Sequence, residues 1–247
     1  MGYRSDRGKI LVNYTMKIYF ISGLAADRRV FKYIQLPKGF EAVHLDWIDP
    51  KKNESLEAYA WRLAEKIDTK EEFILLGLSM GGMIAAEIAK KYKPAGTILL
   101  SSVSTYKQFP SRFKIAYYLR LHKIVPAQFF KSASVLKRLF ATSETPADKL
   151  LIQEIIRESD TEFIRWALGA ILQWKNEEAP SPLWHIHGSK DEILPMKKTS
   201  PTHIIPKGTH LMVISRAGEL NKLLEEVLVS FTKLHGLPQR GNDVIED

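Results

Sequence analysis

The residues of this chain that are best suited to covalent chemistry lie in one pentapeptide, Gly77-Leu78-Ser79-Met80-Gly81. An apolar run from Phe73 to Gly77 precedes the serine and predicts a buried strand, and the alanine- and isoleucine-rich residues after it predict a helix. A serine on a sharp strand-to-helix turn has strained backbone angles, so only residues without a Cβ fit two positions away. We therefore predict Ser79 as a nucleophile held by Gly77 and Gly81. The alternative is a tight turn with an idle serine.

A serine hydroxyl at neutral pH needs a base within hydrogen-bond reach, and that base needs a carboxylate to orient it. In a parallel sheet these groups are expected on loops at the carboxyl ends of strands, where Ser79 also lies. His210 follows the last predicted strand and Asp191 follows the strand before it, in the chain order serine, acid, histidine. We predict Asp191 as the acid and His210 as the base, with Glu192 and Asp46 as the competing acids.

The other six histidines lack this loop position. His185 and His187 lie within a predicted strand, where we expect one to face the core and the other a helix, both in structural roles. The remaining four lie within a strand, at the end of a strand, in a helical segment and near the end of the sequence (His203, His44, His122 and His235).

The oxyanion of an acyl-transfer intermediate needs N–H donors that are already in place. The backbone N–H of Met80, at the start of the predicted helix, is one candidate. The second is expected from the loop after the first strand, which places it at Leu24 beside Gly23. The competing interpretation of Ser22-Gly23-Leu24 is a plain turn.

The composition argues against several other classes of function. With 247 residues, 45% of them hydrophobic, the chain can bury the core of one domain, and it has no cysteine to form a disulfide or bind a metal. No apolar run approaches the roughly 18 residues of a membrane span, and no signal-peptide pattern is present, so we expect a cytoplasmic protein. The net charge of +8 comes without a zinc-finger spacing or a long basic run, so nucleic acid is not an expected partner.

Alternating strands and helices predict an α/β fold. Six apolar runs predict strands, at residues 17–21, 40–45, 73–77, 96–100, 182–188 and 202–205, and amphipathic helices are predicted over residues 55–67 and 217–234. Because the strand runs are nearly continuous, they indicate a mostly parallel sheet with helices on both faces.

The stretch between residues 103 and 178 contains only helical patterns. We interpret it as a helical cap inserted after the strand that ends near Leu100. The expected organisation is a core at residues 16–102 and 181–235, a cap at residues 103–180, and a disordered leader and tail at residues 1–15 and 236–247.

Four segments together resemble the α/β-hydrolase superfamily: Gly77-Leu78-Ser79-Met80-Gly81-Gly82, Ser22-Gly23-Leu24, His187-Gly188-Ser189-Lys190-Asp191 and Gly208-Thr209-His210. The match covers residues 16–234. The resemblance implies a catalytic triad of Ser79, Asp191 and His210 and a cap that shapes the substrate pocket. It also implies hydrolysis of an ester, thioester or related acyl bond of a small molecule through an acyl-enzyme, with no metal and no organic cofactor.

The chain departs from the pattern of this family in two places. Ser22-Gly23 stands where many members have His-Gly, and the leading antiparallel strands of the fold are absent or reduced to residues 9–15. The alternative functions are a ligand-binding or receptor-type protein that keeps the triad but turns over slowly, and a lyase or C–C bond hydrolase on the same triad.

The first half of the predicted cap is strongly basic. From Val103 to Phe140 there are eight basic residues and no acidic one, namely Lys107, Arg112, Lys114, Arg120, Lys123, Lys131, Lys137 and Arg138. One interpretation is a solvated outer face over an aromatic core. The other is that these cations attract an anionic, amphiphilic substrate.

Overall fold

The computed structural model describes residues 15–118 and 145–234. In this part of the chain six strands form one sheet: β1 Met16–Ile21, β2 Phe40–Leu45, β3 Phe73–Leu78, β4 Gly96–Leu100, β5 Leu183–Gly188 and β6 His203–Ile205. The strand order is β2-β1-β3-β4-β5-β6, and every neighbouring pair is parallel. The predicted α/β fold class is confirmed.

Helices cover both faces of this sheet. Within the described residues they are α1 Leu56–Leu63, α2 Met80–Tyr92, α3 Ser111–Tyr118, α4 Pro146–Glu158, α5 Thr161–Gln173, α6 Met212–Ser215 and α7 Ala217–Leu234. The helix predicted over residues 55–67 is shorter than expected, because its last turn tightens into a 3₁₀ turn at Ala64–Lys66. None of the described helices combines the length and apolar character needed to cross a lipid bilayer.

The sheet separates two hydrophobic cores. Successive strand residues point to opposite faces, so Tyr19 and Ile21 of β1 pack with α1, α2 and α5, while Ile18 and Phe20 pack with α4, α6 and α7. All four side chains are at most 2% exposed. The continuous apolar pattern of the strands follows from this arrangement, since both faces are covered.

The order of the strands creates a crevice at the carboxyl end of the sheet. The chain passes from β1 to β2 on one side and then crosses to β3 on the other side of β1. The connections that follow β1 and β3 therefore diverge, and such a switch point is where α/β proteins bind ligands. Because Ile21 pairs with Gly77, the loop after β1 and the turn at Ser79 lie side by side at this point.

Helices α4 and α5 lie between β4 and β5 in the chain but pack against opposite faces. Ile152 and Ile155 of α4 belong to the core beneath α7, whereas Phe163 and Ala167 of α5 belong to the core beneath α1 and α2. The boundaries of a separate cap stay a prediction. The predicted leader and tail lie outside the described residues, apart from residue 15.

A buried carboxylate connects the end of α5 to α2. Trp174 Nε1 donates to Glu87 Oε1 at 2.5 Å, and the same carboxylate pairs with Lys90. Glu87 is only 1% exposed. Because a buried charge is costly unless it is paired, the contact with Lys90 within α2 stabilises the carboxylate, and the hydrogen bond from Trp174 joins the end of α5 to α2.

We expect Glu87→Gln to lower the free energy of unfolding by about 1–2 kcal/mol, because it removes a charge-assisted contact with Lys90, which is itself partly exposed. Urea denaturation measures this change. The matched control is Glu177→Gln, since the Lys107–Glu177 pair is exposed on both sides and its loss should have no measurable effect. Equal changes in the two variants would contradict the role assigned to Glu87.

Candidate active site

The backbone at Ser79 has the strain that the sequence pattern predicts. Its φ and ψ are 52° and −116°, a region that non-glycine residues rarely occupy. Close backbone approaches require the flanking glycines. A Cβ on Gly77 would lie 2.4 Å from Gly81 O, and a Cβ on Gly81 would lie 2.2 Å from Ile21 O.

The end of β4 and the residues just after it hold this turn from the other side. Ser79 N donates to Leu100 O at 2.9 Å, and the buried hydroxyl of Ser102 donates to Ser79 O at 2.6 Å. Both polar groups of the serine backbone are therefore bonded. This fixes the direction in which its side chain leaves the turn.

Asp191 and His210 are brought together by the loops after β5 and β6. A Cβ on Gly188 would lie 2.3 Å from Gly208 O, so the two loops can approach this closely only with glycine there. Lys190 N donates to Gly208 O at 2.8 Å. The loop that carries Asp191 is thus tied to the loop that leads to His210.

The side chains of Ser79, His210 and Asp191 form one hydrogen-bonded chain. His210 Nε2 lies 2.9 Å from Ser79 Oγ, and His210 Nδ1 lies 2.8 Å from Asp191 Oδ2. Asp191 and His210 are 4% and 6% exposed, and Ser79 is half-buried. The other carboxylate oxygen, Asp191 Oδ1, accepts from the N–H groups of Ile193 and Leu194 at 2.9 Å each.

The direction of these hydrogen bonds follows from the charge on Asp191. Burial would raise the pKa of its carboxyl group, but the neighbouring His210 ring and hydrogen bonds from His187 and Leu194 N–H hold that pKa well below its usual value. An ionised carboxylate only accepts, so Nδ1 of His210 carries a proton and Nε2 accepts from the Ser79 hydroxyl. In this arrangement His210 can take the proton of the serine.

Neither competing acid occupies this position. Asp46 pairs with Arg28 after β2, where both side chains are exposed, and Glu192 is exposed to solvent next to Asp191. Among the described residues, the carboxylate bonded to His210 is that of Asp191.

Leu24 and Met80, the predicted donors to an oxyanion, lie on the two segments that flank Ser79. A Cβ on Gly23 would lie 3.4 Å from Ser79 Cβ, which places the loop after β1 against the serine. Met80 is the first residue of α2, where N–H groups lack partners within the helix. In the described part of the chain, neither the Leu24 nor the Met80 N–H donates to a protein acceptor.

The sequence interpretation missed a pair of histidines behind Asp191. The expectation that His185 and His187 face different sides is wrong, because residues two apart on a strand share a face. His185 Nε2 lies 3.1 Å from His187 Nδ1. His187 Nε2 lies 2.8 Å from Leu194 O and 3.3 Å from Asp191 Oδ2. The spacing of the two histidines on the strand that leads to Asp191 was the available signal.

Two of the basic residues in the predicted cap already have partners. Lys107 pairs with Glu177 at 3.0 Å. Arg112 of α3 donates to the backbone carbonyls of Glu192 and Ile193, at 2.6 Å for Glu192. Of the other six basic side chains, that of Lys114 and the five between Arg120 and Arg138 lie outside the described residues. The expected attraction of an anionic substrate therefore stays a prediction.

The described residues do not include a group of three or more side chains suited to hold a metal ion.

Comparison with known proteins identifies a family and a fold. The model of a hydrolase family described as serine aminopeptidase, S33, matches residues 56–211, which is more than half of the chain. A search of curated protein sequences found no match.

Solved structures that share the fold include two esterases. The esterase of Thermogutta terrifontis, solved with malate bound, is 19% identical, with a TM-score of 0.67 over 88% of this chain and 91% of that one. The esterase EaEST of Exiguobacterium antarcticum is 16% identical, with a TM-score of 0.69 over 94% and 98%. MenH from S. aureus is 16% identical, with a TM-score of 0.68 over 96% and 98%. At these identities the similarity establishes a shared fold.

The buried histidine His185 predicts a specific loss of stability in acid. Burial and the neighbouring His187 lower the pKa of His185 from 6.5 to about 3. Between these pH values the unfolded chain binds a proton that the folded chain does not. The free energy of unfolding should therefore fall as the pH falls, by about 1.4 kcal/mol per pH unit from this group.

Urea denaturation as a function of pH tests this expectation. His185→Leu should flatten the decline below about pH 6.5 by that amount. If the wild type and the variant lose stability in parallel, His185 does not remain unprotonated in the folded protein.

Proposed function

The chain belongs to the hydrolase family described as serine aminopeptidase, S33, within the α/β-hydrolase superfamily, and we propose that it is a serine hydrolase of small acyl substrates. The bond cleaved would be an ester, a thioester or a related acyl bond. One observation carries the proposal: the continuous hydrogen-bonded chain from Ser79 Oγ through His210 to Asp191, with distances of 2.9 and 2.8 Å. The esterases of Thermogutta terrifontis and Exiguobacterium antarcticum, which share this fold, favour esters as substrates.

In the proposed mechanism, Ser79 Oγ attacks the acyl carbon while His210 Nε2 takes the hydroxyl proton. Asp191 keeps the ring oriented through Nδ1 and stabilises its positive charge. The carbonyl oxygen becomes an oxyanion that the N–H groups of Leu24 and Met80 stabilise. When the bond to the leaving group breaks, His210 gives its proton to the departing alcohol or thiol, and the acyl-enzyme remains.

A water molecule then releases the product. His210 takes a proton from the water as its oxygen attacks the acyl-enzyme carbonyl, and returns that proton to Ser79 Oγ as the carboxylic acid leaves. In each half of the cycle His210 Nε2 takes up one proton and passes it on. The proton moves from Ser79 to the leaving group in the first half and from water to Ser79 in the second. The net reaction consumes one water molecule.

The substrate class can be tested with p-nitrophenyl esters of increasing acyl length together with an aminoacyl p-nitroanilide, since the family description names an aminopeptidase. We expect turnover of esters and little cleavage of the anilide. Cleavage of the anilide alone would overturn the ester proposal. Labelling of Ser79 by a fluorophosphonate without steady turnover of either substrate would favour a slow ligand-binding protein, or a lyase or C–C bond hydrolase on the same fold.

We expect Ser79→Ala and His210→Ala each to lower kcat for the best ester by roughly 10⁴–10⁶, and the double variant to lose little more. The physical reason is that the nucleophile and its base act as one unit, so removing either one disables the other. Steady-state kinetics of the three variants measure the effect. Strict additivity of the two losses would contradict the assignment.

A matched set of carboxylate variants serves as the control. Asp191→Asn should lower kcat by up to about 10⁴, because the amide favours the wrong tautomer of His210. Glu192→Gln and Asp46→Asn each remove one negative charge, as Asp191→Asn does, but at residues outside the hydrogen-bonded chain of Ser79, His210 and Asp191. They should leave kcat near the wild-type value.

We further propose that the preferred substrate is anionic. The proposal rests on the eight basic residues between Val103 and Phe140, which no acidic residue in that segment offsets. Attraction of this kind acts mainly on association and is screened over about 10 Å at 0.1 M salt. Because Lys107 and Arg112 have partners within the protein, the other six basic residues would supply it.

Raising the salt concentration should lower kcat/KM for an anionic ester and leave a neutral ester of equal length nearly unchanged. The variant Lys114→Gln with Arg120→Gln should remove that difference; Arg112 is retained because it holds the loop of Asp191. The control with the same change in charge is Lys38→Gln with Lys70→Gln, two exposed lysines that precede β2 and β3 at the other end of the sheet. If salt changes kcat/KM equally for the two esters, the basic segment is a solvated surface without a role in substrate attraction.

A further inference from the structure

The proposed mechanism does not use the two histidines behind Asp191, although both are completely buried. Burying a polar ring is unfavourable unless its nitrogens are hydrogen-bonded, and apolar side chains would fill the same space without that requirement. His187 Nε2 lies 3.3 Å from Asp191 Oδ2, the oxygen that also bonds to His210. The pair therefore touches the proposed catalytic chain at its acid.

One placement of protons agrees with the hydrogen bonds that join the pair to each other and to Leu194. Leu194 O can only accept, so His187 Nε2 carries a proton and donates it to Leu194 O and, over the longer distance, towards Asp191 Oδ2. His187 Nδ1 then accepts from His185 Nε2. His185 Nδ1 is left without a proton, and among the described residues it has no hydrogen-bond partner.

With these protons in place, two series of donors converge on one oxygen. Ser79 donates to His210 and His210 to Asp191 Oδ2 from one side; His185 donates to His187 and His187 towards the same oxygen from the other. A donor on the far side draws negative charge away from His210. The attraction between Asp191 and His210 therefore depends on whether His187 is there.

Among the residues that the structure describes, few titratable groups face the Asp191 carboxylate. The described titratable side chains that lie within 4 Å of the Asp191 carboxylate are those of His187 on β5, at 3.3 Å, and His210 after β6, at 2.8 Å. Arg112 of α3 reaches the same loop, but it bonds to the carbonyls of Glu192 and Ile193.

We propose that His187 is a positioning residue for the proposed triad: by sharing Asp191 Oδ2 with His210, it limits the negative charge that Asp191 presents to the His210 ring. This inference rests on the proposed function. His185 lies behind His187 and donates to its Nδ1, while the contact with Leu194 O fixes the tautomer of His187.

Three variants separate this role from packing. His187→Leu removes the donor with little change in volume, and His187→Gln keeps an N–H group near the position of Nε2. His185→Leu is the matched control, because that residue is equally buried on the same face of the same strand but does not touch Asp191.

We expect the acid side of the kcat/KM profile to move to higher pH by about 0.5–1 unit in His187→Leu, because Asp191 then presents its full charge to the protonated His210 ring. His187→Gln and His185→Leu should stay within about 0.2 of the wild-type value. An unchanged profile in His187→Leu, or an equal shift in His185→Leu, would overturn the proposal.

NMR titration of the His210 ring in the protein without substrate gives the same comparison independently of turnover. A protein that hydrolyses no ester but shows the shifted midpoint in His187→Leu would contradict the proposed function and retain this inference. If His187→Leu does not fold, His187→Asn, whose shorter amide cannot reach the position of Nε2, is compared with His187→Gln. An identical His210 midpoint in those two variants would overturn the proposal.

Discussion

The close approach of two backbones beneath Ser79 is the constraint on which the rest of the site depends. Gly81, in the first turn of α2, lies so near the end of β1 that a Cβ would be 2.2 Å from Ile21 O. At the same place the chain turns from β3 into α2 at a single residue, Ser79, with φ of 52°. A non-glycine residue in such a conformation costs about 1–3 kcal/mol. The hydrogen bonds of its N–H to Leu100 and of its C=O to Ser102 offset part of that cost.

Much of the fold could be predicted because the sheet is covered on both sides. Strands such as β3 are then apolar at every position, and their ends are marked where that pattern stops. The end of α1 could not be predicted in the same way. Ile67 continues the apolar periodicity of the helix, yet the chain has already tightened into a 3₁₀ turn before it. Apolar periodicity indicates which side chains are buried and does not give the backbone conformation. Ile67 is buried, but its backbone is extended.

The candidate site was predictable where it depends on local pattern and loop order. Ser79 has a pentapeptide signal, and Asp191 and His210 follow consecutive strands whose ends meet at one edge of the sheet. The contacts that hold them in place were not predictable, because they join residues far apart in sequence. Arg112 and Glu192 are separated by 80 positions. Even the partly local pair, His185 and His187, depends on which face of β5 turns towards the loop of Asp191.

These contacts make Asp191 the point where three parts of the molecule meet. Its carboxylate accepts through Oδ1 from two N–H groups of its own loop. Its Oδ2 bonds to the His210 ring from the loop after β6 and lies 3.3 Å from the His187 ring of β5. The carbonyl groups of the same loop are bonded in turn by Arg112 of α3. A displacement of α3 would therefore act on the loop backbone first and then on the orientation of His210. Helix α3 is thus linked to the proposed base through Arg112, the loop of Asp191 and the Asp191 carboxylate.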